Sequence, residues 1–345
     1  MLACVIHAAH DLRIDELPEP IPEPDELIVQ LGAGGICGSD LHYYHEGRVA
    51  DFKLREPLTL GHEVAGTVVA IGDKVTGLKL GDPVAVNPSR SCGECGPCRA
   101  GRRNHCTKVH FFGSASRFPH MQGGFAERFR AKAEQCIRLS GTVPFPVIAC
   151  AEPLAVCLHA AKQAGNLLWK RVLITGAGPI GALLATVARL GGAARIVITD
   201  LFAAPLALAR QLGADQTINV TEQPDGLAEL VAKEGAFEVA FEAAGVAPAL
   251  GSCIESLGPC GRLVQVGMLA AGNVPLGKLL AREIELVGTF RFDREFSQAV
   301  RLLEENRVDV RPLITAKVPL RDAVGAFDLA SDRNKSLKVS LVGEG

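Results

Sequence analysis

The 345-residue sequence has no excess of charge of either sign: Lys and Arg number 36 against 38 Asp and Glu, a formal net charge of −2, and no long basic run occurs. That removes the electrostatic case for a nucleic-acid partner. Long apolar runs are missing too. The longest charge-free stretch, Val172–Ala188, is broken by Gly176, Gly178, Pro179 and Gly181, and it falls short of the ~20 residues that span a bilayer. The N-terminal stretch from Met1 to Asp15 carries charged and polar residues early and has no apolar centre of the kind found in secretory leaders. Internal repeats and low-complexity tracts are also absent. With 48% hydrophobic and 21% charged residues, the composition excludes a disordered chain. The expectation is a soluble cytoplasmic protein with no membrane partner. At ~150 residues per domain it holds two domains, each able to bury a core without a disulfide scaffold.

Cysteine is plentiful, at 11 residues, an odd count. A reducing compartment disfavours disulfides, so clustered cysteines point to metal. Cys92, Cys95, Cys98 and Cys106 are separated by two, two and seven residues, and Gly93 and Gly96 let the backbone wrap. Four thiolates at these spacings close a tetrahedron around one zinc and leave no open position, which makes the site structural. An iron–sulfur cluster is the other use of four thiolates. Cys4, Cys136, Cys150, Cys157, Cys253 and Cys260 are scattered and read as small buried apolar residues.

The first third is strand-like and rich in loops. Leu27–Leu31 and Val64–Ile71 are short β-branched runs, Gly72-Asp73 and Gly81-Asp82 mark turns, and Pro18–Pro24 is an extended connection. No long helical period is evident there. Beyond Pro144 the pattern changes. Apolar strands over Arg171–Thr175, Arg195–Thr199, Phe237–Phe241 and Gly261–Val266 alternate with helical stretches over Ala155–Ala164, Ala182–Leu190 and Pro205–Leu212, and a further amphipathic stretch covers Phe296–Glu304. Such alternation implies an α/β fold with a doubly wound parallel sheet. The chain therefore reads as a nucleotide-type domain over 148–290, set between two parts of a β-rich domain over 1–147 and 291–345, with a zinc lobe at about 88–110.

Within the α/β part, Gly176-Ala-Gly178-Pro179-Ile180-Gly181 follows an apolar strand, opens a helix, and meets Asp200 at the end of the next strand, nineteen residues past Gly181. In that context the glycines allow a tight turn and close approach to a pyrophosphate, which the helix N-terminus attracts. A second set is dispersed: Cys37, His62 with Glu63, and Glu152. Cysteine, histidine and carboxylate form a plausible zinc set with room for substrate. Spacing alone does not separate them from ordinary packing and surface residues.

Taken together, Cys37-Gly-Ser39-Asp-Leu-His42, Gly61-His62-Glu63, the four-cysteine lobe, Glu152-Pro-Leu and the glycine fingerprint resemble the zinc-dependent medium-chain dehydrogenases, in their polyol dehydrogenase branch. Tyr43-Tyr44, Phe111–Ala115, Phe118–His120, Gly123–Phe125 and Gly288–Phe292 are most similar to the members that oxidise the aldonate L-idonate. The resemblance implies a GroES-like β-barrel catalytic domain and a Rossmann domain. It implies a catalytic zinc at Cys37 and His62 with Glu63 and Glu152 as further metal-site and catalytic residues. It also implies a second zinc in the cysteine lobe, and a proton relay from Ser39 through the cofactor ribose to His42.

The resemblance further implies that Val266, Gly267, Met268, Thr289, Phe290 and Arg291 line the nicotinamide half of the cofactor site, and that Tyr43, Glu152, Arg291 and Phe292 meet the substrate. Sorbitol-type relatives commonly carry tyrosine where Phe292 stands. Asp200 can accept hydrogen bonds from the ribose hydroxyls of NAD and would repel the 2′-phosphate of NADP, by roughly 3 kcal/mol at ~5 Å and an effective dielectric of ~20. No Arg or Lys occurs from Leu201 to Ala209 to relieve that repulsion, so the expectation is NAD rather than NADP. Arg48, Arg55, Arg117 and His120 lie in loops of the catalytic domain that could approach a sugar-acid carboxylate. The readings left open are a sorbitol- or xylitol-type enzyme, an L-threonine 3-dehydrogenase, and a non-enzymatic relative that binds nucleotide and zinc. A homotetramer and a small-molecule substrate complete the expectations.

Overall fold

The computed structural model describes residues 1–269 and 274–343. They form two compact units: Met1–Glu152 with Phe296–Asp332 and Lys338–Gly345, and Pro153–Glu295 with Arg333–Leu337. The divisions fall inside the helix Ala151–Ala164 and at the start of the helix Glu295–Glu304, a few residues past 147 and 290. The short segment Arg333–Leu337 returns to the second unit.

In the first unit, a seven-stranded sheet is organised around Glu26–Gly35. This strand pairs antiparallel with Glu63–Ile71, Arg128–Lys132 and Lys338–Val342. Its residues Leu27, Val29 and Leu31 alternate into one core with Cys4, Ile6, Phe125, Phe327 and Leu341, all essentially inaccessible to water. Each large side chain so buried contributes about 1.5–3 kcal/mol relative to exposure. The pairing register sets Gly35 opposite Glu63 and Ser340. A side chain at Gly35 would collide with the Glu63 carboxylate, so the glycine makes room for a buried acid.

The second unit is built on a six-stranded, all-parallel sheet. Its order is Gln216–Asn219, Arg195–Asp200, Arg171–Thr175, Phe237–Glu242, Leu257–Gln265, Glu285–Gly288. Numbered within the unit this is 3-2-1-4-5-6, the doubly wound order expected from the strand–helix alternation. Val172, Leu173 and Ile174 are wholly buried, as strands covered on both faces require. The order reverses between Arg171–Thr175 and Phe237–Glu242, and ligands of such sheets bind beyond the carboxyl ends of the strands at that point.

The helical run Phe145–Ala164 is long and apolar enough to cross a membrane, but 67% of its most apolar part is buried within the protein, as in a core helix.

Candidate active site

Cys37 stands at the N-cap of the helix Gly38–Glu46, in extended backbone. Asp40, in the first turn, accepts a hydrogen bond from the Cys37 amide at 2.9 Å and satisfies one of the donors a helix start leaves open. The other Asp40 oxygen lies 3.6 Å from His62 Nδ1, and neither of these buried atoms has a hydrogen-bond partner. Nδ1 thus faces an acid, and Nε2 is the nitrogen left for a metal. Burial by itself lowers an imidazole pKa; here Asp40 and Cys37 outweigh it and hold His62 well above its ordinary value.

His62 is placed by its neighbours. Gly61 has a φ of +99°, and a side chain there would strike the Phe125 ring. The amides of Gly124 and Phe125 bond the carbonyls of Gly61 and Leu60 at 2.9 Å each. Next in sequence, Glu63 meets Lys338, whose Nζ donates to both carboxylate oxygens at 2.7 and 2.8 Å and to the Ile36 carbonyl at 3.1 Å. Both side chains are buried. Burial would depress the lysine pKa, but Glu63 and Cys37 raise it above its ordinary value.

One ligand atom each from Cys37, His62 and Glu63 lie within 4.8 Å of one another, a donor set suited to zinc. Glu152, buried in the first turn of Ala151–Ala164, is not in that group. Ser39 and His42 are three apart on the helix Gly38–Glu46 and so share a face. His42 is half-exposed, with Nδ1 2.9 Å from Glu46. The buried Tyr43 hydroxyl accepts the Ala115 amide at 2.8 Å, and burial pushes its pKa up. Phe111 stands beside the His62 imidazole, with ring centroids 5.5 Å apart.

The loop cations considered for a carboxylate are otherwise engaged. Both ring nitrogens of His120 meet backbone groups, of Arg55 and Arg117, and Arg117 itself donates to the Lys108 carbonyl. Arg55 lies over the Phe118 ring, and Arg48 is 3.8 Å from Glu46.

Cys92, Cys95, Cys98 and Cys106 form the second cluster, their sulfurs within 4.8 Å of one another and none joined in a disulfide. The Cys92–Cys106 and Cys95–Cys106 sulfurs are 3.5 and 3.9 Å apart. Four sulfurs around one zinc, each ~2.3 Å from it, would be about 3.8 Å apart. Backbone N–H donors favour thiolate: Cys95 is drawn down to about 6 by hydrogen bonds from the Cys98 and Thr107 amides. The amides of Cys92 and Lys108 donate to the Cys106 sulfur. Because this site closes a lobe of short elements, Cys95→Ser lowers the thermal unfolding midpoint more than Cys37→Ser does. A melting series on the two variants checks this, and a larger fall for Cys37→Ser contradicts it.

In the second unit, the sequence-predicted cofactor residues share the carboxyl edge of the parallel sheet. Gly176–Gly181 follows the strand Arg171–Thr175 and opens the helix Pro179–Leu190. Gly176 has a φ of +91°, and a side chain on Gly181 would overlap the Gly176 carbonyl. A Cβ on Gly178, by contrast, would meet only an Arg333 nitrogen at 3.5 Å, so backbone is left open for a pyrophosphate at a helix N-terminus. Asp200 ends its strand and accepts hydrogen bonds from the amides of Ala177, Leu201 and Phe202.

Val266 and Gly267 bond the carbonyl of Glu242, which fixes Val266–Met268 beside the reversal point, and the Thr289 amide bonds Gln265. Met268 and Phe290 are exposed, Phe292 is buried, and Arg291 adopts a left-handed conformation with its guanidinium 5.0 Å from the Phe290 ring centre.

Four residues that take part were not foreseen: Asp40, Lys338, Glu242 and Arg333. Asp40 carried a readable signal, an acid three residues after a helix-capping position. Glu242, wholly buried, receives the Ala244 and Gly245 amides. Arg333 corrects the expectation that no cation relieves Asp200: its Nη2 lies 3.0 Å from Asp200 Oδ2.

Residues 23–141 match the alcohol dehydrogenase GroES-like domain, and residues 179–305 match the zinc-binding dehydrogenase domain. The chain is 42% identical to L-idonate 5-dehydrogenase (NAD(P)(+)) of Escherichia coli strain K12, over 91% of each chain. It is 37% identical to sorbitol dehydrogenase of Gallus gallus, over 99% of this chain and 96% of that one. The crystal structure of L-idonate 5-dehydrogenase from Escherichia coli superposes with a TM-score of 0.94 at 40% identity, covering 99% of this chain and 97% of that one.

Proposed function

We propose, starting from the fact that the chain belongs to the zinc-binding alcohol dehydrogenases with a GroES-like domain, that it oxidises a secondary hydroxyl of a six-carbon aldonate, and that this substrate is L-idonate, taken at C5 to 5-keto-D-gluconate. The enzyme class is zinc-dependent, NAD(P)-linked alcohol or polyol dehydrogenase, acting on a small molecule. The observation that carries the reading is the Cys37–His62–Glu63 cluster, its imidazole and carboxylate buried and its thiol partly so, with Asp40 behind the imidazole and Lys338 behind the carboxylate.

Cys37, His62 and a carboxylate, from Glu63 or Glu152, would hold the catalytic zinc, with Glu63 also paired to Lys338. When bound, zinc supplies Lewis-acid polarisation of the substrate hydroxyl and the nicotinamide accepts hydride. Asp40, facing Nδ1, keeps the His62 ring oriented with Nε2 left as the ligand nitrogen. Ser39 would relay the hydroxyl proton, accepting it as its own proton passes on toward His42, which lies one turn further along the same helix, is half-exposed and would release it to solvent. Tyr43 and Arg291 position the substrate. Phe292 offers no hydroxyl where sorbitol-type relatives commonly carry tyrosine, which argues that the pocket is not simply a sorbitol pocket. The same reading includes a homotetramer and a cytoplasmic location.

A charge-assisted hydrogen bond to the aldonate carboxylate is worth roughly 1.5–3 kcal/mol, or about ten- to a hundredfold. NAD+ reduction assays therefore give a kcat/KM for L-idonate above those for sorbitol and xylitol by that factor. A sorbitol or xylitol value equal to or above it replaces the aldonate reading with a polyol one; turnover of L-threonine alone removes both.

A further inference from the structure

Resting on the cofactor reading above, we infer that Arg333 is a specificity-determining residue for the cofactor: it exchanges its ion pair with Asp200 for the 2′-phosphate of NADP, and so admits a nucleotide that Asp200 alone would reject.

Three observations meet at this side chain. Its Nη2 is 3.0 Å from Asp200 Oδ2, and Asp200 stands at the strand end where such folds hold the adenosine ribose. The guanidinium carbon lies 5.5 Å from the centre of the Phe202 ring, within reach of a cation–π attraction. The same nitrogen is 3.5 Å from where a Cβ on Gly178 would project, the open glycine of the phosphate turn. Arg333 therefore occupies the space between the acid that reads the ribose and the turn that cradles the phosphates. It reaches there because Arg333–Leu337 packs with the nucleotide-binding unit although both its chain neighbours, Asp332 and Lys338, belong to the other.

The electrostatics follow from the pairing. Asp200 is buried and has no bonded cation on its own helix start, so a 2′-phosphate arriving beside it meets a carboxylate held by backbone amides but without a counter-charge in the absence of Arg333. That repulsion amounts to roughly a hundredfold in binding. A guanidinium carries five N–H donors on one planar fork and is half-exposed here, which suits it to bridge carboxylate and phosphate or to turn from one to the other. For NAD, which carries no 2′-phosphate, Asp200 remains the partner of the ribose hydroxyls, and Arg333 contributes little.

Calorimetric titration of the full-length zinc-loaded protein with ADP-ribose and with 2′-phospho-ADP-ribose tests this without turnover. Wild type binds both. Arg333→Ala weakens 2′-phospho-ADP-ribose by about tenfold or more and ADP-ribose by less than about twofold, as expected for loss of one charge-assisted contact. Arg333→Lys keeps most of the phosphate affinity, and melting midpoints of all three proteins coincide. Equal weakening of both ligands, or no change in either, overturns the proposal. If ADP-ribose itself fails to bind wild type, the cofactor reading falls first and takes this inference with it.

Discussion

Cys37→Ser lowers kcat/KM by about a thousandfold or more and leaves the fold in place. The two halves of that expectation have separate causes. Cys37 caps a helix whose start is held by its backbone amide on Asp40. Serine is among the preferred residues at an N-cap, so the helix tolerates the change. The chemistry does not, because a serine hydroxyl cannot replace a thiolate in a cysteine–histidine–carboxylate set. Lewis-acid polarisation is worth several kcal/mol, and each 1.36 kcal/mol is a factor of ten in rate. Steady-state assays beside a melting curve check both halves; activity within tenfold of wild type removes Cys37 from the catalytic centre. Mild chelation reproduces the loss in wild type before the fold melts, since this site keeps an exchangeable position and the four-cysteine site does not.

The second large effect is on stability. Lys338→Met destabilises the protein by about 3–5 kcal/mol, the cost of leaving a buried carboxylate without its counter-charge. Glu63 and Lys338 are 1% and 2% exposed, so solvent screens neither. The folded-state pKa of Lys338 lies above its unfolded value. Its contribution is therefore complete below about pH 10 and is lost only as pH rises through the folded value. Denaturant unfolding at neutral pH measures the loss, and the double variant Lys338→Met, Glu63→Gln recovers most of it. An unchanged midpoint in Lys338→Met contradicts the buried pair.

What the sequence disclosed, and what it hid, follows from distance along the chain. The parallel sheet was legible because its strands are buried on both faces and read as plain apolar runs, as in Val172–Ile174. The helix Gly38–Glu46 was not. Its sequence, GSDLHYYHE, has no apolar period; Asp40 starts it, and the buried Tyr43 and Tyr44 hold it down. The cysteine lobe was readable from spacing, because all four sulfurs come from one short segment. Cys37, His62 and Glu63 were readable only through family motifs, since sheet register brings them together. Lys338 lies 275 residues from Glu63, and Arg333 lies 133 from Asp200. A scan of the residues next to Asp200 could find no cation because the cation arrives from the other end of the chain.

Two zinc centres of unlike lability are the centre of this account, and metal analysis of the purified protein tests it most directly. Active wild type should hold two zinc ions per chain, Cys37→Ser one with the fold retained, and Cys95→Ser one at most with a lowered melting midpoint. Fully active wild type with one zinc or none per chain would contradict it.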